Sequence, residues 1–69
     1  MTPIHILIEK HDIGFTATAT SRGQLVVSAW HRNELTALGW VKIRAAKKLN
    51  VPNYWIIWTV EGLSAEVQK

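Results

Sequence analysis

Three histidines (His5, His11 and His31) and five carboxylates are the side chains on which acid–base or metal chemistry would draw. Their spacing assembles nothing. No HExxH, HxH or histidine–carboxylate motif links them. Glu9, His11 and Asp12 are close in sequence, but a hairpin tip with such residues is ordinarily a solvated turn. There is no cysteine, which excludes thiolate zinc sites, disulfides and cysteine nucleophiles. A glycine-rich phosphate loop, a GxSxG elbow and a diagnostic Ser–Lys pair are also missing. The expectation is a non-catalytic protein, with no catalytic residue, no metal and no cofactor.

The basic segment 34–49 is more informative. On a helical wheel, Leu35, Leu38, Ala45, Ala46 and Leu49 make a core stripe. Lys42 falls inside that stripe. Its stem either packs on the sheet with the amine at the rim, or its charge meets a phosphate or carboxylate. A second face carries Trp40, Ile43, Arg44 and Lys47. Tryptophan with arginine is a common interface anchor, so these four are candidate partner-binding residues. The alternative is a Trp40–Arg44 pair stacked on an exposed helix. Lys42, Arg44, Lys47 and Lys48 are candidate nucleic-acid contacts, with Trp40 or Trp30 free to stack on unpaired bases.

The elements that must position these residues follow from hydrophobic period. Ile4, Ile6 and Ile8 alternate with His5, Leu7 and Glu9, which predicts a strand. A second strand covers Phe15–Thr20, with alanines opposing threonines. A third covers Leu25–Trp30, after a turn that contains Gly23. Leu25, Val27 and Ala29 are expected to oppose Val26, Ser28 and Trp30. Asn33 then caps a helix that opens with Glu34 and closes with Lys47 and Lys48, a polarity that suits the helix dipole. Asn50 and Pro52 end it. Gly39 marks either close packing on the sheet or a break. Tyr54–Val60 reads as a strand and is placed centrally because it is so apolar. Residues 61–69 read as a frayed tail or a short helical turn. The fold class is α+β: β-β-β-α-β, a four-stranded, mostly antiparallel sheet with one helix on one face.

This order resembles the small HicB-like fold, found in HicB antitoxins and in many orphan proteins. Ile8-Glu9-Lys10, the Gly14-Phe15-Thr16-Ala17 stretch, the turn at Gly23 and the helix with Glu34-Leu35 and Ala37-Leu38 carry the resemblance. It spans about two-thirds of the chain, from Ile6 to about Leu49. It implies a small regulatory or antitoxin-like domain that binds protein. The chain departs from the family in two respects. The usual Pro-Asp-Leu-Pro-Gly-Cys loop is replaced by Thr20-Ser21-Arg22-Gly23-Gln24, and a helix usually rich in glutamate is basic. Members usually add a C-terminal DNA-binding segment, for which no chain is expected to remain.

Sixty-nine residues suit a single small domain, 1–69, which buries only about 60% of its unfolded surface. At 48% hydrophobic residues the chain is too apolar to be disordered. A net charge of +3 permits an acidic partner without requiring one. No apolar run is long enough to span a membrane, and no secretion signal opens the chain, so the expected location is cytoplasmic. Opposite the single helix, strand alternation places Leu7, Val26, Trp30, Trp55 and Ile57 on one apolar face. Either a homodimer or larger homo-oligomer buries that face, or the tail folds back over it through Leu63 and Val67. The leading expectation is a protein-binding module. Nucleic-acid binding through helix 34–49 is the alternative, and a small enzyme or ligand carrier is a third reading.

Overall fold

The computed structural model describes residues 1–63 of the chain. Strands β1 (Thr2–His11), β2 (Gly14–Ser21) and β3 (Gln24–His31) lead into helix α1 (Glu34–Leu49). A 3₁₀ turn at Asn53–Trp55 then precedes β4 (Ile56–Glu61). The sheet order is β3-β2-β1-β4. β1 pairs with β2, and β2 with β3, in antiparallel fashion, whereas β4 runs parallel to β1. The expected α+β class and the β-β-β-α-β order therefore hold.

Side-chain size decides where the helix sits. β2 and β3 present Ala17, Ala19 and Ala29 to it, all buried, and α1 lies mainly over these two strands. Small residues let the helix backbone approach the sheet. The longer side chains Ile4, Ile6 and Ile8 of β1 fill the space alongside and are almost fully buried. Each contributes about 1.5–3 kcal/mol by burial. Phe15, Trp58, Val60 and Leu63 pack against this core at its margin.

Local chemistry sets the helix ends. The Thr36 backbone N–H donates to Asn33 Oδ1 at 3.0 Å, and the Thr36 hydroxyl donates to the same oxygen at 3.2 Å. At the other end Asn50 takes a left-handed conformation, φ 55°. There the Asn50 and Val51 N–H groups donate to the carbonyls of Lys47 and Ala46. This double closure needs a residue that tolerates positive φ, which asparagine does. The turn between β2 and β3 uses Arg22 and Gly23 at φ 53° and 81°, a twist that suits a two-residue hairpin loop.

Five expectations require correction. β4 is an edge strand: the two hairpins occupy both sides of β2, and β4 adds in parallel at the free edge of β1. Trp55 belongs to the 3₁₀ turn and not to a strand face. Val26 does not face away from the helix. A register shift between Ala19 and Thr20 places an extra residue in β3. This bulge turns Val26 into the core beside Val27, and leaves Leu25 opposite Thr20 and exposed. The helix is rolled relative to the expected stripe: Ala37, Leu38, Val41 and Ala45 are buried, whereas Leu35 is exposed. Finally, Gly39 is neither a break nor a close contact. The helix runs through it, and nothing would meet a β-carbon there.

Leu63 packs on the core side, so it does not cover the far face of the sheet. Val67 and the rest of the expected tail lie outside the described residues. Gly62, at φ 85°, lets the chain turn across β1. A β-carbon at Gly62 would collide with the carbonyl oxygen of Ile8. Two glycine substitutions should therefore move stability in opposite directions. In chemical denaturation, Gly39→Ala should stabilise the protein by up to about 1 kcal/mol. Gly62→Ala should destabilise it by about 1–3 kcal/mol. Equal effects at the two sites would contradict this packing.

Candidate functional site

The sheet face turned away from α1 carries no covering layer among the described residues. Pairing register places its side chains in rows. His5, Leu7 and Glu9 of β1 stand beside Thr20, Thr18 and Thr16 of β2. Those threonines stand in turn beside Leu25, Ser28 and Trp30 of β3. On the other flank, Ile57 of β4 pairs with Pro3. Leu7, Leu25, Trp30 and Ile57 are all exposed, by 40% to 67%. Of the expected oligomer face, Leu7, Trp30 and Ile57 are thus in place. Val26 is replaced by Leu25, and Trp55 stands on the turn ahead of β4.

Trp30 is held in place on this face. Its ring lies over Gly14, where any β-carbon would collide with it. The signal for this contact was legible as a glycine beside a strand, which often marks the close approach of another group. The three histidines are dispersed, as expected. His5 Nε2 meets Glu61 Oε1 at 2.7 Å. His11 Nε2 lies 2.8 Å from the Thr16 hydroxyl. His31 Nδ1 accepts from the Asn33 N–H at 3.0 Å. Among the described residues, no three His, Asp or Glu side chains are grouped to hold a metal. None of the described α-helices is long and apolar enough to cross a membrane.

The helix carries the other candidates. The Arg44 guanidinium lies 4.7 Å from the centre of the Trp40 ring, so these two form a stacked pair. Trp40 still exposes 49% of its surface, and Ile43, Lys47 and Lys48 are exposed. Lys42 is partly buried, and its amine sits 5.5 Å from the centre of the Trp58 ring. The Trp58 Nε1–H donates to Asn53 Oδ1 at 2.8 Å, which ties the start of β4 to the 3₁₀ turn. Residues 42 and 44 therefore point to different sides of α1, and the basic residues do not form one helix face.

The Trp40–Arg44 contact has a measurable consequence. A double-mutant cycle with Trp40→Ala and Arg44→Ala should give a coupling of about 0.5–1 kcal/mol, as expected of an exposed cation–π pair. A coupling near zero would mean that the guanidinium does not rest on the ring.

Comparison with protein-family models, with curated proteins and with solved structures finds no match, so the HicB-like resemblance rests on the quoted residues and the order of elements.

Proposed function

We propose that this chain is a small, non-catalytic, protein-binding module, and that its first partner is a second copy of itself seated on the uncovered face of the sheet. One observation carries the reading: Leu7, Leu25, Trp30 and Ile57 stand exposed among threonines on a face that no helix covers. Large apolar side chains gathered on one uncovered sheet face favour an interaction surface.

Charge favours a second copy as the occupant. In a two-fold contact the same patch meets itself, so a strongly charged patch would repel its own copy. Across β1, β2 and β3 the middle row of Leu7, Thr18 and Ser28 is neutral, and on β4 that row ends at Glu61. The charged groups of this face lie on β1 and β4, where Glu61 already pairs with His5. Size is also adequate. Four strands at about 4.8 Å and eight residues at about 3.3 Å give a plan area near 500 Å². The accessible area of a corrugated face is larger, which approaches the roughly 800 Å² per partner of a standard interface. The HicB-like resemblance agrees with a regulatory or antitoxin-like setting for such a module. A cytoplasmic setting belongs to the same proposal.

Sedimentation equilibrium at tens of micromolar should return a dimer or larger assembly. Thr18→Lys places a charge in the middle of the face and should yield a monomer with an unchanged circular dichroism spectrum. A monomeric parent protein, or a Thr18→Lys variant that still associates, would overturn the proposal.

A further inference from the structure

The described carboxylates gather toward one end of the molecule, where Lys10 and Arg32 also stand. Of the described carboxylates, Glu9 and Asp12 lie at the β1–β2 turn, Glu34 at the start of α1, and Glu61 at the close of β4. The strand directions put all of these toward one end. The opposite end gathers the β2–β3 turn, the last turns of α1 and the 3₁₀ turn. Arg22, Lys47 and Lys48 stand there, with Lys42 beside them.

Two grooves open on either side of the last helical turns. One, of about 530 Å³, runs between the helix end and the β2–β3 turn and is lined by Arg22, Gln24 and Lys48. The other, of about 480 Å³, runs between the helix and the segment before β4, and is lined by Lys42, Lys47, Asn50 and Asn53. Each groove thus offers cations together with side-chain amides, and among the described residues no carboxylate lines either one. Next to the second groove, the 3₁₀ turn displays Tyr54 and Trp55, which are 81% and 51% exposed.

We infer that this end of the molecule binds single-stranded nucleic acid, with phosphates along the two grooves and unpaired bases stacked on Tyr54 and Trp55. Cations alone would suit any polyanion. The flat aromatic rings beside them select a partner with exposed base faces, which a duplex keeps stacked and an acidic peptide lacks. The amides of Gln24, Asn50 and Asn53 add neutral hydrogen-bonding groups that phosphate, sugar and base edges can all use. The first groove meets the sheet face at Leu25, whereas the second shares no residue with that face and stays open when two copies associate. It extends beyond the basic helix by recruiting Arg22 from a hairpin turn and the aromatics from the 3₁₀ turn.

The test is fluorescence anisotropy with labelled twelve-residue oligothymidylate and oligouridylate, and with a duplex of equal length. The single strands should bind. With about three phosphates neutralised, affinity should fall about 18-fold when salt rises fourfold, given a slope of about −0.7 per phosphate. Trp55→Ala should weaken single-strand binding at least about fivefold while leaving the salt slope unchanged. Tyr54→Ala serves as the second variant if Trp55→Ala fails to fold. Arg22→Glu with Lys48→Glu should reduce the slope, whereas Lys10→Glu at the opposite end should do neither. The inference is overturned if neither single strand binds at low salt. It is also overturned if the duplex or a poly-glutamate chain binds as tightly as the single strands, or if the aromatic variants bind like the parent.

Discussion

Ile4, Ile6 and Ile8 are shielded from water because one helix lies across the face of the sheet that they share. That is the dominant apolar burial available to so small a chain, and it has one geometric consequence. The helix covers one face, and the described residues supply nothing to cover the other. The alanines on β2 and β3 draw the helix close, and the branched side chains of β1 and the ring of Trp58 close the core beside it. The opposite side chains of the same strands are then left in solvent. The core and the exposed face are two results of one alternation.

That exposed face is not a row of apolar residues alone. Threonines run along β2 between Leu7 on one side and Leu25 and Trp30 on the other. Threonine favours an extended strand, while its methyl group still packs well against another sheet. Trp30 resting on Gly14 presents a flat ring that is already held in position. A surface ordered in advance loses less side-chain entropy when it is covered. The charged groups of this face stand on β1 and β4, where His5 and Glu61 pair, which leaves β2 and β3 lined by neutral side chains.

The helix was legible at both ends because Asn33 and Asn50 carry the signals that caps require, and the structure uses both residues as caps. The strands were legible because Ile4, Ile6 and Ile8 keep a strict period of two. What could not be read was anything that depends on neighbours distant in sequence. The bulge that turns Val26 inward arises where β3 meets β2, and nothing in Leu25-Val26-Val27 announces it. The roll of α1 follows from the alanines beneath it, which favour Ala37 and Val41 over Leu35 at the contact. Apolar content suggested a central position for β4, but strand order placed it at the edge. Of the candidate site, the Trp40–Arg44 pair and most of the sheet face were visible from spacing. Arg22 and Tyr54 were not, and Trp55 was expected on the sheet face, because all three join the basic helix end only through the fold.

The most direct test of a face covered by a second copy is a filtered nuclear Overhauser experiment on an equimolar mixture of isotope-labelled and unlabelled protein. This account predicts intermolecular contacts among the methyl groups of Leu7, Thr18, Leu25 and Ile57. Intermolecular contacts confined to Leu35 and Ile43 on the helix, or none at all, would contradict it.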